Sequence, residues 1–238
     1  MDLDILAIVA HPDDVELSFG GTLIVHKNLG YKTGILDLTK GELGTRGTPE
    51  IRAAEAEKAA KILRVDMREN LGLEDGFFEN NKDNQLKLAA QIRKYRPKLV
   101  ITNATYDRHP DHVRSAQLVE SACFIAGLKA VKTLDEGAEQ AAYRPDKIYF
   151  SIQSTAHEPD LLVDISEVIE ERREAINAFK SQFYDPESTE PETYISSKNF
   201  MNMLEGRATE FGQRIGVAYA EGFKIKHFLG VKNLFDLI

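Results

Sequence analysis

Asp4-Ile5-Leu6-Ala7-Ile8-Val9-Ala10-His11-Pro12-Asp13-Asp14-Val15-Glu16 is the stretch on which the fold turns. Residues 4–10 form a short apolar run, the pattern of a strand buried on both faces, and His-Pro ends it. Residues 16–29 follow with helical spacing and stop at Gly30, a residue suited to the position just past a helix end. A second strand is predicted over 33–38. Thr48-Pro49-Glu50 then opens a helix with a hydroxyl cap, a proline in the first turn and an early acid, and alanines carry it to about residue 63. A third strand over 67–71, a helix over 85–95 ended before Pro97, a fourth strand over 98–102 and a helix over 113–128 complete the alternation. Strand alternating with helix implies right-handed crossovers and a mainly parallel sheet covered by helices on both faces. The fold class is therefore α/β. In a sheet of order 3-2-1-4 the first and fourth strands are neighbours, and ligands bind beyond their carboxyl ends.

Later segments read as strands over 147–152 and 161–164, an amphipathic helix over 166–179, a loop over 184–194 and a helix over 196–216 interrupted near Gly206. No repeat or linker divides the chain, so residues 1–238 are expected to form one domain. The 238 residues, 42% of them hydrophobic, suffice for a full core. A formal net charge of −8 argues against binding a phosphate backbone, so no nucleic-acid partner is expected. No apolar run is long enough to span a membrane. The start lacks the pattern of a secretory signal, and Cys123 is the single cysteine. A cytoplasmic location is expected.

The chemistry sits at two strand ends. The first strand delivers His11, Asp13, Asp14 and Glu16. The fourth leads through a short loop to Arg108-His109-Pro110-Asp111-His112. Either cluster alone can be turn and cap chemistry. Brought into one crevice by the topology, their imidazoles and carboxylates call for a cation. This ligand chemistry favours zinc, with related first-row metals such as Fe2+ as alternatives. His11, Asp14 and His112 supply three ligands and leave a position for water. Asp13 remains as a base, His109 as an oxyanion stabiliser or acid, and Asp111 as a group that orients a histidine.

At these residues the sequence resembles the LmbE-like, or PIG-L, family of zinc N-deacetylases. The motif A-H-P-D-D-x-E stands at Ala10–Glu16 and H-P-D-H at His109–His112. The resemblance implies a Rossmann-like three-layer sandwich. It also implies metal ligands at His11, Asp14 and His112, a general base at Asp13 and an oxyanion-stabilising histidine at His109. Arg52-Ala53-Ala54-Glu55 looks like the family's R-x-x-E element and implies a substrate contact for Arg52. Asp75-Gly76 resembles a segment whose aspartate holds sugar hydroxyls. Softer likenesses at Gly41-Glu42, at Tyr143-Arg144-Pro145 and in the tail over 211–216 and 219–223 resemble the branch serving bacillithiol biosynthesis. They imply an N-acetylglucosaminyl malate substrate and a homo-oligomer, a hexamer by that likeness.

Blander readings stand beside these. Arg52 can be a surface cation paired with Glu55. Arg108 can clamp a substrate carboxylate or neutralise Asp107 or Asp111. Arg144 reads as a loop residue, His26 as structural and Cys123 as core, while His157 and His227 have no partner motif. Tyr184 and Tyr194 either close over a ligand or anchor their loop. Gly20-Gly21 is no phosphate cradle. Two alternatives to an amino-sugar deacetylase remain. One is an amidase acting on other N-acyl sugars or thiol conjugates. The other is a non-catalytic sugar- or nucleotide-binding module.

Overall fold

The structure, a computed structural model, describes residues 1–236 and their side chains through residue 235. Its elements run β1 (Ile5–Val9), α1 (Asp14–Ser18), α2 (Gly20–Asn28), β2 (Thr33–Thr39), α3 (Pro49–Leu63), β3 (Met67–Leu73), α4 (Lys82–Tyr95), β4 (Leu99–Thr102) and α5 (Pro110–Ala126). They continue with β5 (Leu134–Asp135), β6 (Ala138–Glu139), β7 (Lys147–Ser151), β8 (Leu161–Asp164), α6 (Ile169–Asn177), α7 (Lys198–Ile215) and β9 (Ala220–Ile225). The main sheet has the order β3-β2-β1-β4-β7-β9-β8, so the predicted neighbours β1 and β4 are adjacent. Strands β3 to β7 in that order are parallel; β9 runs antiparallel to both β7 and β8. The short β5–β6 hairpin lies outside the main sheet.

The alternation of β1 explains the layers. Leu6, Ile8 and Ala10 pack with Leu36, Leu38, Leu88, Ile92, Leu118 and Val119, the cluster on the α4 and α5 side. Ile5, Ala7 and Val9 pack with Phe19, Leu23, Leu63, Ile169 and Ala175 on the opposite side. Both faces of β1 are thus buried, as its unbroken apolar run requires.

Several expectations are corrected. The helix expected over 16–29 begins at Asp14 and breaks at Phe19, whose φ of −153° is not helical. The break frees the first N–H groups of α2. Glu221 of β9 accepts them, from Gly21 N at 3.1 Å and Thr22 N at 2.6 Å. That cap lies about two hundred residues away in sequence and leaves no local trace. Helix α5 starts at Pro110 rather than at 113, because His109 caps it. Residues 166–168 form a 3-10 turn ahead of α6. Helix α7 runs straight through Gly206, and β9, not read as a strand in the sequence, is the partner that β7 and β8 share. Thr48 caps α3 as expected, accepting Ile51 N at 3.3 Å, and Gly30 follows α2 with a positive φ of 86°.

Candidate active site

β1 ends at a turn with an unusual backbone. Asp13 has a φ of 125°, a region that a side chain makes costly and that surrounding contacts must hold. Arg52 supplies them. Its Nη2 donates to Pro12 O at 2.8 Å and to Asp13 Oδ2 at 3.1 Å, and its Nη1 donates to Gly41 O at 3.1 Å. Arg52 is buried, and Glu55 instead accepts the backbone N–H and hydroxyl of Ser181, so the surface-pair reading fails. Gly41 must lack a side chain, since a Cβ there would lie 1.9 Å from Arg52 Nη1. Burial pushes the Asp13 carboxyl up to about 7, with Asp14 adding to the shift and Arg52 opposing it.

β1 and β4 bring His11 and His112 together across a sequence gap of a hundred residues, with ring centroids 5.7 Å apart. Asp14 lies between them, with Oδ2 3.6 Å from His11 Nδ1 and Oδ1 3.1 Å from His112 Nε2. Each ring has a carboxylate behind it. His11 Nε2 is 3.0 Å from Asp75 Oδ1 and 3.4 Å from Asp111 Oδ2; His112 Nδ1 is 3.5 Å from Asp107 Oδ2. That last contact is an ion-pair distance without hydrogen-bond geometry, and it leaves Nδ1 buried without a hydrogen-bond partner.

This arrangement fits a divalent cation. Both rings turn one nitrogen toward a shared carboxylate and the other toward a supporting one, as metal-bound histidines do. The acids around them push both imidazoles to hold protons against the cost of burial, His112 to about 9 and His11 well above its ordinary value. Protons there stand where a cation would otherwise supply the charge. Among the described residues, two donor sets lie within 4.8 Å: His11 with His109 and His112, and His11 with Asp75 and Asp111. Neither compact set contains Asp14, which nevertheless reaches both His11 and His112.

His109 is the N-cap of α5, and its ring stacks on His112 at 5.0 Å and meets His11 edge-on at 4.7 Å. Burial and the charge of His11 and His112 lower its pKa to about 4. Asp111, grouped with the catalytic residues as one that orients a histidine, is fully buried and sits behind His11 rather than along the cavity. It accepts Gly76 N at 2.8 Å and pairs with Arg114. Asp75 lines the cavity, but both its oxygens are engaged: Oδ1 faces His11, and Oδ2 accepts Leu43 N at 3.0 Å. Burial raises the Asp75 carboxyl, yet the bond and charge of His11 outweigh it and hold the group at about 2.

The cavity in front of these groups measures about 420 Å³ and is also lined by Arg46, Arg52, Arg108, Gln153, Gln182 and Tyr194. Arg108 is exposed and stacks on Tyr194, 4.3 Å from the ring centre. It neutralises neither Asp107 nor Asp111, which face His112 and Arg114. Tyr194 borders the cavity and Tyr184 does not. Arg144 donates to Phe124 O near the end of α5, and His26 bonds Thr22 O within its own helix, so both are structural. Cys123 is core. Glu16 points away from the cavity, where Arg68 on β3 ties it to Asp37.

Sequence reasoning missed Asn103, Gln153 and Arg46. Asn103 directly follows β4, and Gln153 lies two residues past β7. A polar residue at the carboxyl end of a parallel strand is the signal that would have found both.

Residues 6–123 match the model of the PIG-L family, described as GlcNAc-PI de-N-acetylase. The chain is 28% identical to the diacetylchitobiose deacetylase of Thermococcus kodakarensis, over 92% of this chain and 82% of that protein. It is 25% identical to a probable N-acetyl-alpha-D-glucosaminyl L-malate deacetylase 2 of Bacillus anthracis, over 75% of this chain and 81% of that protein. Among solved structures, the conserved protein TT1542 from Thermus thermophilus aligns with a TM-score of 0.84 at 36% identity, covering 97% of this chain and 98% of that one.

Proposed function

The chain belongs to the PIG-L family, and from that membership we propose that it is a zinc-dependent deacetylase removing the acetyl group from an N-acetylglucosamine-type sugar. The observation that carries this reading is the convergence of His11 and His112 on Asp14, with Asp13 free of that cluster and raised to about 7 beside it. His11, Asp14 and His112 hold the metal; ferrous iron suits the same donors. When bound, the cation polarises the amide carbonyl and makes nearby water more acidic.

The chain's own residues do the rest. Asp13 takes a proton from the attacking water, and a carboxylate titrating near neutrality suits that task. His109 presents Nε2–H to the oxyanion, because its Nδ1 is occupied as the α5 cap. The proton held by Asp13 passes to the departing amine, and acetate and a free amino sugar leave. Asp111 acts through His11, which it orients. Arg52 and Asp75 border the sugar. Arg108, with no carboxylate partner among the described residues, meets an anionic aglycone such as malate.

The longer match to a diacetylchitobiose deacetylase favours a second substrate, a disaccharide. Acetate release from N-acetylglucosamine, its malate conjugate and diacetylchitobiose, with zinc-loaded and chelated protein, separates them. Zinc-dependent release is expected, fastest with the malate conjugate. Loaded protein that releases acetate from none of the three overturns the assignment. Residues 1–238 act as one catalytic unit, in a cytoplasmic homo-oligomer for which sedimentation should return a hexamer. Among the described residues no helix is long and apolar enough to cross a membrane.

A further inference from the structure

We propose that Asn103 and Gln153 are positioning residues that hold the Asp14 carboxylate in the orientation its metal needs. The inference rests on Asp14 being a metal ligand. Asn103 Nδ2 donates to Asp14 Oδ2 at 3.0 Å, and Gln153 Nε2 donates to Asp14 Oδ1 at 2.9 Å. The backbone N–H of His11 adds a third donor to Oδ2, at 3.0 Å. Both amides are almost fully buried, Asn103 at 0% and Gln153 at 4% exposure. A carboxylate only accepts, so each amide must turn its nitrogen to Asp14.

Their other atoms agree with that orientation. Asn103 Oδ1 accepts Ala10 N at 2.8 Å, which ties the end of β4 to the end of β1. Gln153 Oε1 accepts from Ser18 Oγ at 3.1 Å, and Arg207 holds the Gln153 carbonyl. Rotating the Asp14 carboxyl would break donors on both oxygens at once. The two amides come from two different strand ends and grip opposite oxygens, so the plane of the carboxylate is set by the sheet and not by the turn that bears it. Neutral donors do this without adding charge beside the cation, as an arginine or lysine would.

Gln153→Met is the clean test. It removes the donor at nearly constant volume, and the Ser18 hydroxyl keeps Asp14 O as its acceptor, at 2.6 Å. Zinc affinity of the purified full-length chain is measured by competition with a chromophoric chelator, for wild type, Gln153→Met, Asn103→Ala and Asp14→Asn. Melting of the metal-free proteins and the visible spectrum of the Co2+ forms are recorded alongside. Gln153→Met should weaken zinc roughly 10–100-fold, shift the cobalt bands and leave metal-free melting close to wild type. Asn103→Ala should weaken zinc similarly. If it fails to fold, because Ala10 N loses its acceptor, Gln153→Met decides alone. Wild-type zinc affinity and cobalt bands in Gln153→Met, with affinity lost in Asp14→Asn, overturn the proposal alone. Wild-type affinity in Asp14→Asn as well removes Asp14 as a ligand and takes both readings down.

Discussion

His109 Nδ1 accepts the backbone N–H of Asp111 at 3.2 Å, so the first turn of α5 determines which nitrogen of that ring carries the proton. An acceptor at Nδ1 leaves the neutral ring's hydrogen on Nε2. The capping bond and the proposed catalytic role are therefore separable. Asn is as good a cap as any residue and is neutral. His109→Asn should keep the melting temperature within a few degrees and lower kcat about 10²–10³-fold, with zinc still bound. A variant that keeps wild-type kcat ends the oxyanion assignment.

With Asp13 as the proposed base, the acid limb of the rate profile should belong to it. The base must be ionised, and burial raises its pKa to about 7, so activity should climb with pH to a plateau. A bound cation pulls the midpoint at or below that value. His109, lowered to about 4, adds no inflection between pH 5 and 8. Asp13→Asn should lose about 10²–10⁴ in turnover while retaining the metal. A limb that survives in residual Asp13→Asn activity would falsify the assignment.

The same residue carries a stability cost. In the metal-free protein the Asp13 carboxyl titrates near 7 against 3.8 unfolded, so the folded state binds the proton longer. Stability then falls as pH rises through that window. Asn does not titrate, and it keeps an acceptor for Arg52. Metal-free Asp13→Asn should gain on wild type between pH 4 and 7, by up to roughly a few kcal/mol. Urea midpoints across that range measure the gain, and parallel pH curves for the two proteins would refute it.

Gly41 and Arg52 form a lock whose failure should be local. A Cβ at Gly41 would meet Arg52 Nη1 at 1.9 Å, and the backbone there has a φ of +66°. Gly41→Ala should cost about 1–3 kcal/mol and displace Arg52 from Pro12 and Asp13. Turnover should fall more than zinc affinity. Unchanged kinetics would show that the turn holds without Arg52.

Arg172 Nε donates to Glu221 Oε1 at 2.8 Å, with both side chains 3% exposed. Glu221 also caps α2, so the pair joins β9, α6 and the helix behind the motif. Burial holds the Glu221 carboxyl above its ordinary value even beside Arg172. Arg172→Met should cost about 3–5 kcal/mol at pH 8. The deficit should shrink as pH falls, because the raised carboxyl takes up a proton and then no longer needs a cation. A deficit that is flat with pH would mean that lost packing, not charge, destabilises the variant.

The two motifs and the β1–β4 adjacency were legible in the sequence, because each depends on local signals: an apolar run, a proline that ends it, helix caps and the alternation of periods. Those signals are enough to bring His11, Asp13, Asp14, His109 and His112 to one crevice. What surrounds them was not legible. Asp111 apart, which the motif offered as a group that orients a histidine, the partners Asn103 and Gln153 on Asp14, Asp75 behind His11, and Glu221 at the start of α2 are all joined across long stretches of chain. The sequence by itself determined which residues can do chemistry and which strand ends present them. Only the tertiary structure decided how each is held, since a buried polar atom takes whichever partner the packed sheet delivers, and that partner leaves no periodicity or spacing to read.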